Sequence, residues 1–314
     1  MSRLAFLFPG QGSQGVGMGR DFYERSSRAR EMFAQADEIL GFKISRLCFE
    51  GPEEELKLTQ NTQPALLLVS AVAYTLIGAE PCLAAGHSLG EYSALVAAGA
   101  LKFEDALLLV HKRGQYMQEA VPVGQGAMAA LLGLSCEEAE KAVARVSRGV
   151  VAIANWNSSD QIVIAGHKEA VEEAVQFANP PRSVMLPVSA PFHTSLMKSA
   201  EEKLSLDLDQ VEFKDLKFPI ITNVDARIIR QGEEARDALK RQVSRPVLWY
   251  KSMEAMNGEH IDAYVEVGAG KVLSGLIKRI GRAWTHPFAT ANVEDWSSLE
   301  KTRTSLSLSS APGE

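Results

Sequence analysis

The pentapeptide Gly86-His87-Ser88-Leu89-Gly90 constrains this chain more than any other stretch. Gly-x-Ser-x-Gly is the pattern of a sharp strand-to-helix turn that lifts a serine hydroxyl clear of the backbone at the end of a sheet. Glycine is needed two residues before and two after the serine, because a Cβ at either place would collide with the neighbouring strand or helix. The flanks suit that geometry. Residues 81–85 (Pro-Cys-Leu-Ala-Ala) offer a short apolar strand, and residues 93–98 (Ser-Ala-Leu-Val-Ala-Ala) a small-residue helix able to lie close on a sheet. The plainer alternative is an ordinary turn with an N-capping serine. The strand before it and the helix after it favour a nucleophile.

A serine nucleophile needs a base, and the chain offers six histidines. His193 lies in the loop Pro191-Phe192-His193-Thr194, directly before a helix, and is the candidate by placement. His87 adjoins the serine, and adjacent residues on such a turn point apart. His111 and His167 follow no useful loop, and His260 and His286 fall late in the chain. Asp160 and Asp225 are acids that could complete a triad, but neither sits in an assignable motif.

Upstream, an apolar strand over 4–8 runs into Pro9-Gly10-Gln11-Gly12-Ser13-Gln14-Gly15, which fits G-x-G-x-x-G. A dinucleotide site would also need a second strand ending in an acid about 20 residues on. That region, from Asp21 to Leu40, instead reads as one amphipathic helix. The loop is better suited to aiming backbone N–H groups at a developing negative charge. Pro64 suits the first turn of an apolar helix over 65–77, and Gln63 before it is either part of the cap or a group in the site. Arg113, on a helix over 106–119, has apolar neighbours. Either its stem packs on the surface or its guanidinium is kept inside for an anion, and the sequence alone favours the surface. Gly270-Lys271 is not a phosphate loop, since Val272 and Val265 replace its hydroxyl residue and first glycine.

Residues 124–188 have a different texture, reading β-α-β-β-α-β, the order of a ferredoxin-like unit. The expected fold is therefore α/β. Residues 1–123 and 189–295 form a large parallel-sheet domain, 124–188 are inserted into it, and the Ser/Thr/Lys-rich 296–314 are a mobile tail. The 314 residues, 46% hydrophobic, suffice for this. A net charge of -6 argues against a nucleic-acid binder. Three scattered cysteines, Cys48, Cys82 and Cys136, suggest reduced thiols and no zinc framework. No apolar run approaches the roughly 20 residues of a bilayer span, and the N-terminus is too short and broken for a signal peptide. A cytoplasmic protein without membrane contact is expected.

Taken together, Phe8-Pro9-Gly10-Gln11-Gly12-Ser13-Gln14, Gly86-His87-Ser88-Leu89-Gly90-Glu91-Tyr92, Arg113-Gly114, Asn155-Trp156-Asn157, Pro191-Phe192-His193 and Glu266-Val267-Gly268-Ala269-Gly270-Lys271-Val272-Leu273 resemble the malonyl-CoA:acyl-carrier-protein transacylases of fatty-acid synthesis. The resemblance covers nearly the whole chain. It implies an α/β-hydrolase-like large domain with a ferredoxin-like insert. Ser88 would be the nucleophile and His193 its general base. Gln11 and Leu89 would supply oxyanion N–H groups, and Arg113 would hold the malonyl carboxylate. Gln63 would line the pocket, and Phe192 would crowd the acyl α-carbon. The backbone carbonyl of Gln242 would orient His193, making a Ser-His dyad without an acid. The implied partners are malonyl-CoA and acyl carrier protein, with no cofactor, no metal, and a monomeric state. Lys271, Lys278, Arg279 and Arg282 are the guess for a basic docking patch. The competing readings are a serine esterase or thioesterase and an inactive carrier-protein-binding module.

Overall fold

The computed structural model describes residues 3–188 and 190–308. Among the described residues ten strands carry the architecture: β1 Leu4–Phe8, β2 Leu83–Gly86, β3 Gly126–Leu132, β4 Val151–Ser158, β5 Gln161–His167, β6 Arg182–Met185, β7 Ile220–Ile221, β8 Ile228–Ile229, β9 Ala263–Val267 and β10 Ala289–Val293. Six of them form one sheet in the order β10-β9-β1-β2-β7-β8, and the other four a second sheet in the order β4-β5-β3-β6. In the larger sheet the first five strands are parallel and only β8 runs antiparallel. Its central strands β1 and β9 are buried throughout, as a sheet covered on both faces requires. The mixed α/β class expected from the sequence is the one found.

The smaller sheet is antiparallel throughout, and Ser135 and Glu138 close a capping box on its first helix. It is not a loose appendage. Val247 beside the large sheet exchanges two backbone hydrogen bonds with β4, to Ala154 and Trp156, each 2.9 Å.

Three features of the large sheet place the site. In parallel sheets ligands gather at the carboxyl ends of the strands. Here β1 and β2 pair in register, Phe8 opposite Gly86, so the Gly10 loop and the serine turn emerge side by side. The second feature is glycine. A Cβ on Gly86 would sit 1.9 Å from the Gly90 carbonyl carbon, and one on Gly90 would sit 2.0 Å from the Phe8 carbonyl oxygen. Backbone cannot retreat from such contacts, so these glycines let the elbow helix, Gly90–Ala97, lie directly on β1. The third is helix packing. A Cβ on Gly114 would meet the Gln60 Cα at 2.5 Å, so the helices Thr59–Ile77 and Phe103–Glu119 touch backbone to backbone there. That contact brings Arg113 alongside Gln63.

Several expectations need correction. The helix expected over 65–77 begins at Thr59, and Pro64 is its sixth residue, inside the helix. A proline there leaves the carbonyl four residues back without its donor. That carbonyl is Gln60 O, and His111 Nδ1 lies 2.8 Å from it and supplies the missing proton. The single helix expected from Asp21 to Leu40 is two, Arg20–Arg25 and Ser27–Leu40. Between them Ser26 takes an extended backbone, and its hydroxyl caps the Ala29 N–H. The stretch expected as a mobile tail is a helix over Trp296–Leu306, capped by Asp295, with Leu299, Thr302 and Arg303 buried. Arg303 donates to the Leu76 carbonyl at 2.5 Å and ties that helix to the body. The remainder of that expectation, 309–314, lies outside the described residues. Among the described residues no helix is long and apolar enough to cross a membrane.

Candidate active site

Ser88 follows β2 with a left-handed backbone, φ 51°. A non-glycine residue there costs on the order of 1–3 kcal/mol and persists only if its surroundings hold it. Its own backbone is held from both sides. The Ser88 N–H donates to Asn223 Oδ1 at 2.7 Å, and its carbonyl accepts from Gln242 Nε2 at 3.0 Å. The turn delivers the hydroxyl to His193, whose Nε2 lies 2.8 Å from Ser88 Oγ. His193 is itself left-handed, φ 61°, and 3% exposed. Its Nδ1 lies 2.9 Å from the Gln242 carbonyl. A carbonyl only accepts, so Nδ1 carries the proton and Nε2 is left free to receive one from the serine.

Among the described residues no acid completes a triad. Asp225 is paired bidentately with Arg241 at 2.7 and 2.9 Å. Asp160 takes the Ser158 hydroxyl at 2.7 Å and faces Arg279 at 3.6 Å. His87, the residue beside the serine, faces the other way. Its Nε2 lies 2.9 Å from Asn157 Oδ1 and 3.4 Å from Asn155 Nδ2, and its ring packs against Trp249.

Arg113 departs furthest from the bland reading of its sequence context. It is 1% exposed, and among the described residues it makes no ion pair. Nη1 donates to Gln63 Oε1 at 2.6 Å, while Nη2 donates to Gln242 Oε1 at 2.9 Å and to Ser88 Oγ at 3.1 Å. The Tyr92 ring lies 5.6 Å from its guanidinium carbon. A buried cation facing neutral carbonyls is expensive unless an anion joins it. Its charge also acts on the base. Burial first, and then Arg113, push His193 down to about 3, so the resting imidazole is neutral.

Gln11 stands across from the serine in the Gly10 loop. Among the described residues neither its N–H nor that of Leu89 is used in an intramolecular hydrogen bond, which leaves two backbone donors beside Ser88. These groups share one pocket of about 190 Å³, lined also by Gln63, Phe192, Val163, Leu273 and Leu276. Its wall comes partly from the smaller sheet and partly from the helix Val272–Ile280. Two members of the expected basic patch already have acidic partners: Lys271 meets Glu294 at 2.6 Å and Arg279 faces Asp160.

The eight residues singled out from the sequence, Gln11, Gln63, Ser88, Leu89, Arg113, Phe192, His193 and Gln242, thus converge on one place. Three participants escaped that reading. Asn223 bridges the turn, its Nδ2 donating to the Gly86 carbonyl at 2.7 Å. Glu91, fully buried, accepts from Asn223 N and Gln242 Nε2 through Oε2, at 3.0 and 2.8 Å. Burial pushes its carboxyl up to about 7. The Gln242 side chain was missed where its carbonyl was not. A lone acid in Gly90-Glu91-Tyr92-Ser93-Ala94-Leu95, otherwise small and apolar, was the available signal. No group of three or more His, Cys, Asp or Glu among the described residues could hold a metal ion.

Such a site suits acyl transfer: a serine hydroxyl beside a neutral imidazole, two unused backbone N–H groups and a buried cation lie within one pocket. Comparison with known proteins points the same way. The sequence model of the acyl transferase domain family matches residues 5–297. A malonyl CoA-acyl carrier protein transacylase of Bacillus subtilis is 47% identical over 290 residues, covering 90% of this chain and 92% of its own length. Its counterpart in Escherichia coli K12 is 48% identical over 288 residues, 89% and 93% of the two chains. The transacylase structure from Coxiella burnetii superposes with a TM-score of 0.92 at 40% identity, over 96% of each chain. A type II PKS malonyl-transacylase, solved in complex with its acyl-carrier protein, gives 0.93 at 42% identity, over 97% of this chain and 100% of its own.

Proposed function

The chain belongs to the acyl transferase domain family, among the malonyl-CoA:acyl-carrier-protein transacylases, and from that premise we propose that its transfer reaction passes through a malonyl ester on Ser88. The enzyme takes the malonyl group from malonyl-CoA and delivers it to the phosphopantetheine thiol of acyl carrier protein. In the first half-reaction Ser88 Oγ attacks the thioester carbonyl while its proton passes to His193 Nε2. The carbonyl π electrons move onto oxygen, where the Gln11 and Leu89 N–H groups receive the charge. One such donor is worth roughly 3–4 kcal/mol in comparable sites. Collapse expels the CoA sulfur, which takes the proton from His193. The carrier-protein thiol then repeats the sequence in reverse, giving ping-pong kinetics. Gln242 O stabilises the transient imidazolium less than a carboxylate would, and holds its tautomer equally well.

Substrate choice rests on Arg113. A malonyl group places a carboxylate one carbon beyond the thioester carbonyl, and a guanidinium can receive it bidentately. An acetyl group would leave the buried cation unanswered. Phe192 crowds the α-carbon and disfavours a methyl branch. The enzyme works in the cytoplasm as a monomer and needs no cofactor, the CoA thioester being a substrate.

The observation that carries this reading is the buried Arg113, without an ion pair among the described residues and within hydrogen-bonding distance of the Ser88 hydroxyl. A thioesterase has no use for it. Incubation with malonyl-CoA, with and without carrier protein, is the test. Malonyl-carrier protein should form only when the carrier is present, with little free malonate in its absence. Rapid malonate release without an acceptor would overturn the reading in favour of a hydrolase.

A further inference from the structure

One carboxylate oxygen stands behind both the nucleophile and the cation. Glu91 Oε2 accepts from Gln242 Nε2 at 2.8 Å and from Asn223 N at 3.0 Å. Those two residues are the ones that grip the Ser88 backbone, through Gln242 Nε2 on its carbonyl and Asn223 Oδ1 on its N–H. Gln242 reaches further, because its Oε1 accepts from Arg113 Nη2 at 2.9 Å. Its amide therefore spans from acid to guanidinium, oxygen toward the cation and nitrogen toward the carboxyl. Turned over, it would set its NH2 against the guanidinium and its oxygen against Glu91, losing both bonds at once. Glu91, Asn223 and Gln242 are all 0% exposed, so no water can stand in for the lost partners.

The geometry points to Glu91 as a positioning residue for substrate selectivity, which holds the Gln242 amide and through it aims the Arg113 guanidinium at the acyl pocket. This rests on the reading that Arg113 receives the acyl carboxylate. Arg113 is held from behind by two amide oxygens, Gln63 Oε1 on Nη1 and Gln242 Oε1 on Nη2. The first is independent of Glu91, and the second is set by it. If the amide is released, the guanidinium loses one of its two amide supports, and a malonyl group feels that more than an acetyl group, which makes no contact with the cation. The acceptor matters here, more than the charge: a carboxyl protonated on Oε1, which has no partner of its own, still accepts through Oε2.

Single-turnover acylation of Ser88 by malonyl-CoA and by acetyl-CoA, compared as a ratio, tests this. Gln242→Met removes the amide and leaves the backbone carbonyl that orients His193. Glu91→Leu removes the anchor. Each should lower the malonyl-to-acetyl ratio by about tenfold, the loss of one hydrogen bond to a charged group. The double variant should fall no further, because both act on one line. Glu91→Gln, whose side-chain oxygen can still accept, should keep the ratio within about threefold of the parent. A ratio unmoved in folded Gln242→Met or Glu91→Leu, even with both rates reduced together, would overturn the inference and leave Glu91 a brace for the fold. Gln242→Met carries the test alone if Glu91→Leu does not fold. A parent enzyme that malonyl-CoA fails to acylate would instead count against the functional reading itself.

Discussion

Replacing Arg113 by alanine separates the role of the cation from that of the nucleophile. Arg113 is 1% exposed and donates at 2.6, 2.9 and 3.1 Å to Gln63, Gln242 and Ser88. A substrate carboxylate taking a bidentate grip on it would gain two hydrogen bonds between charged groups, each worth about 1.5–3 kcal/mol. Their loss should cost malonyl transfer roughly 3–6 kcal/mol, or about 10²- to 10⁴-fold in kcat/KM. Acetyl transfer should move in the opposite direction. In the parent enzyme an acetyl group leaves the guanidinium buried without an anion, and after burial, the larger cause, that same charge helps hold His193 below its ordinary basicity. Removing it relieves both. The assay is competition between malonyl-CoA and acetyl-CoA for acylation of Ser88, read by mass spectrometry of the acyl-enzyme. The reasoning would be refuted by a malonyl-to-acetyl ratio within about threefold of the parent, because a side chain that merely packs the pocket slows both substrates alike.

Two further predictions concern the base and the turn. His193 is lowered to about 3, so its neutral, proton-accepting form persists well below the usual histidine value near 6.5 and is lost only as pH falls through the lowered one. The pH profile of kcat/KM should therefore show no acid limb near 6.5, whereas Arg113→Ala, lacking one cause of the depression, should shift its limb upward; a parent limb at 6.5 would contradict this. Gly90→Ala would put a methyl 2.0 Å from the Phe8 carbonyl oxygen, and the expected cost is roughly 3 kcal/mol or more of stability with loss of acylation. A variant with parental activity and melting temperature would show that the elbow does not need its close approach to β1.

The arrangement of the candidate site was legible where geometry demands a residue type at a fixed offset. Gly86, Ser88 and Gly90 announce a turn because only glycine tolerates backbone at 2 Å, and the demand for a base then selects His193 from six candidates. Arg113 was not legible from its neighbours, since alternating apolar and charged residues on a helix fit a surface stem as well as a buried guanidinium. What places it beside Gln63, 50 residues away in sequence, is the close helix contact at Gly114, which no local pattern records. Glu91 and Asn223 were hidden for a related reason. They serve backbone groups and an amide, and their partners are set by the fold rather than by spacing. The helix Trp296–Leu306 was lost to composition: its serines and threonines suggest a tail, while three buried positions and a capping box decide otherwise. Pro64 misled the helix start because its cost is offset by a histidine from another helix.

The central claim is that Ser88 carries the malonyl group between two thiols. Mass spectrometry of the enzyme after brief exposure to malonyl-CoA, with no carrier protein present, tests it directly. The account predicts one malonyl group on the peptide containing Ser88, none in Ser88→Ala, and transfer of that label to carrier protein when it is added. Malonyl-carrier protein forming at full rate with no label ever found on Ser88 would contradict it.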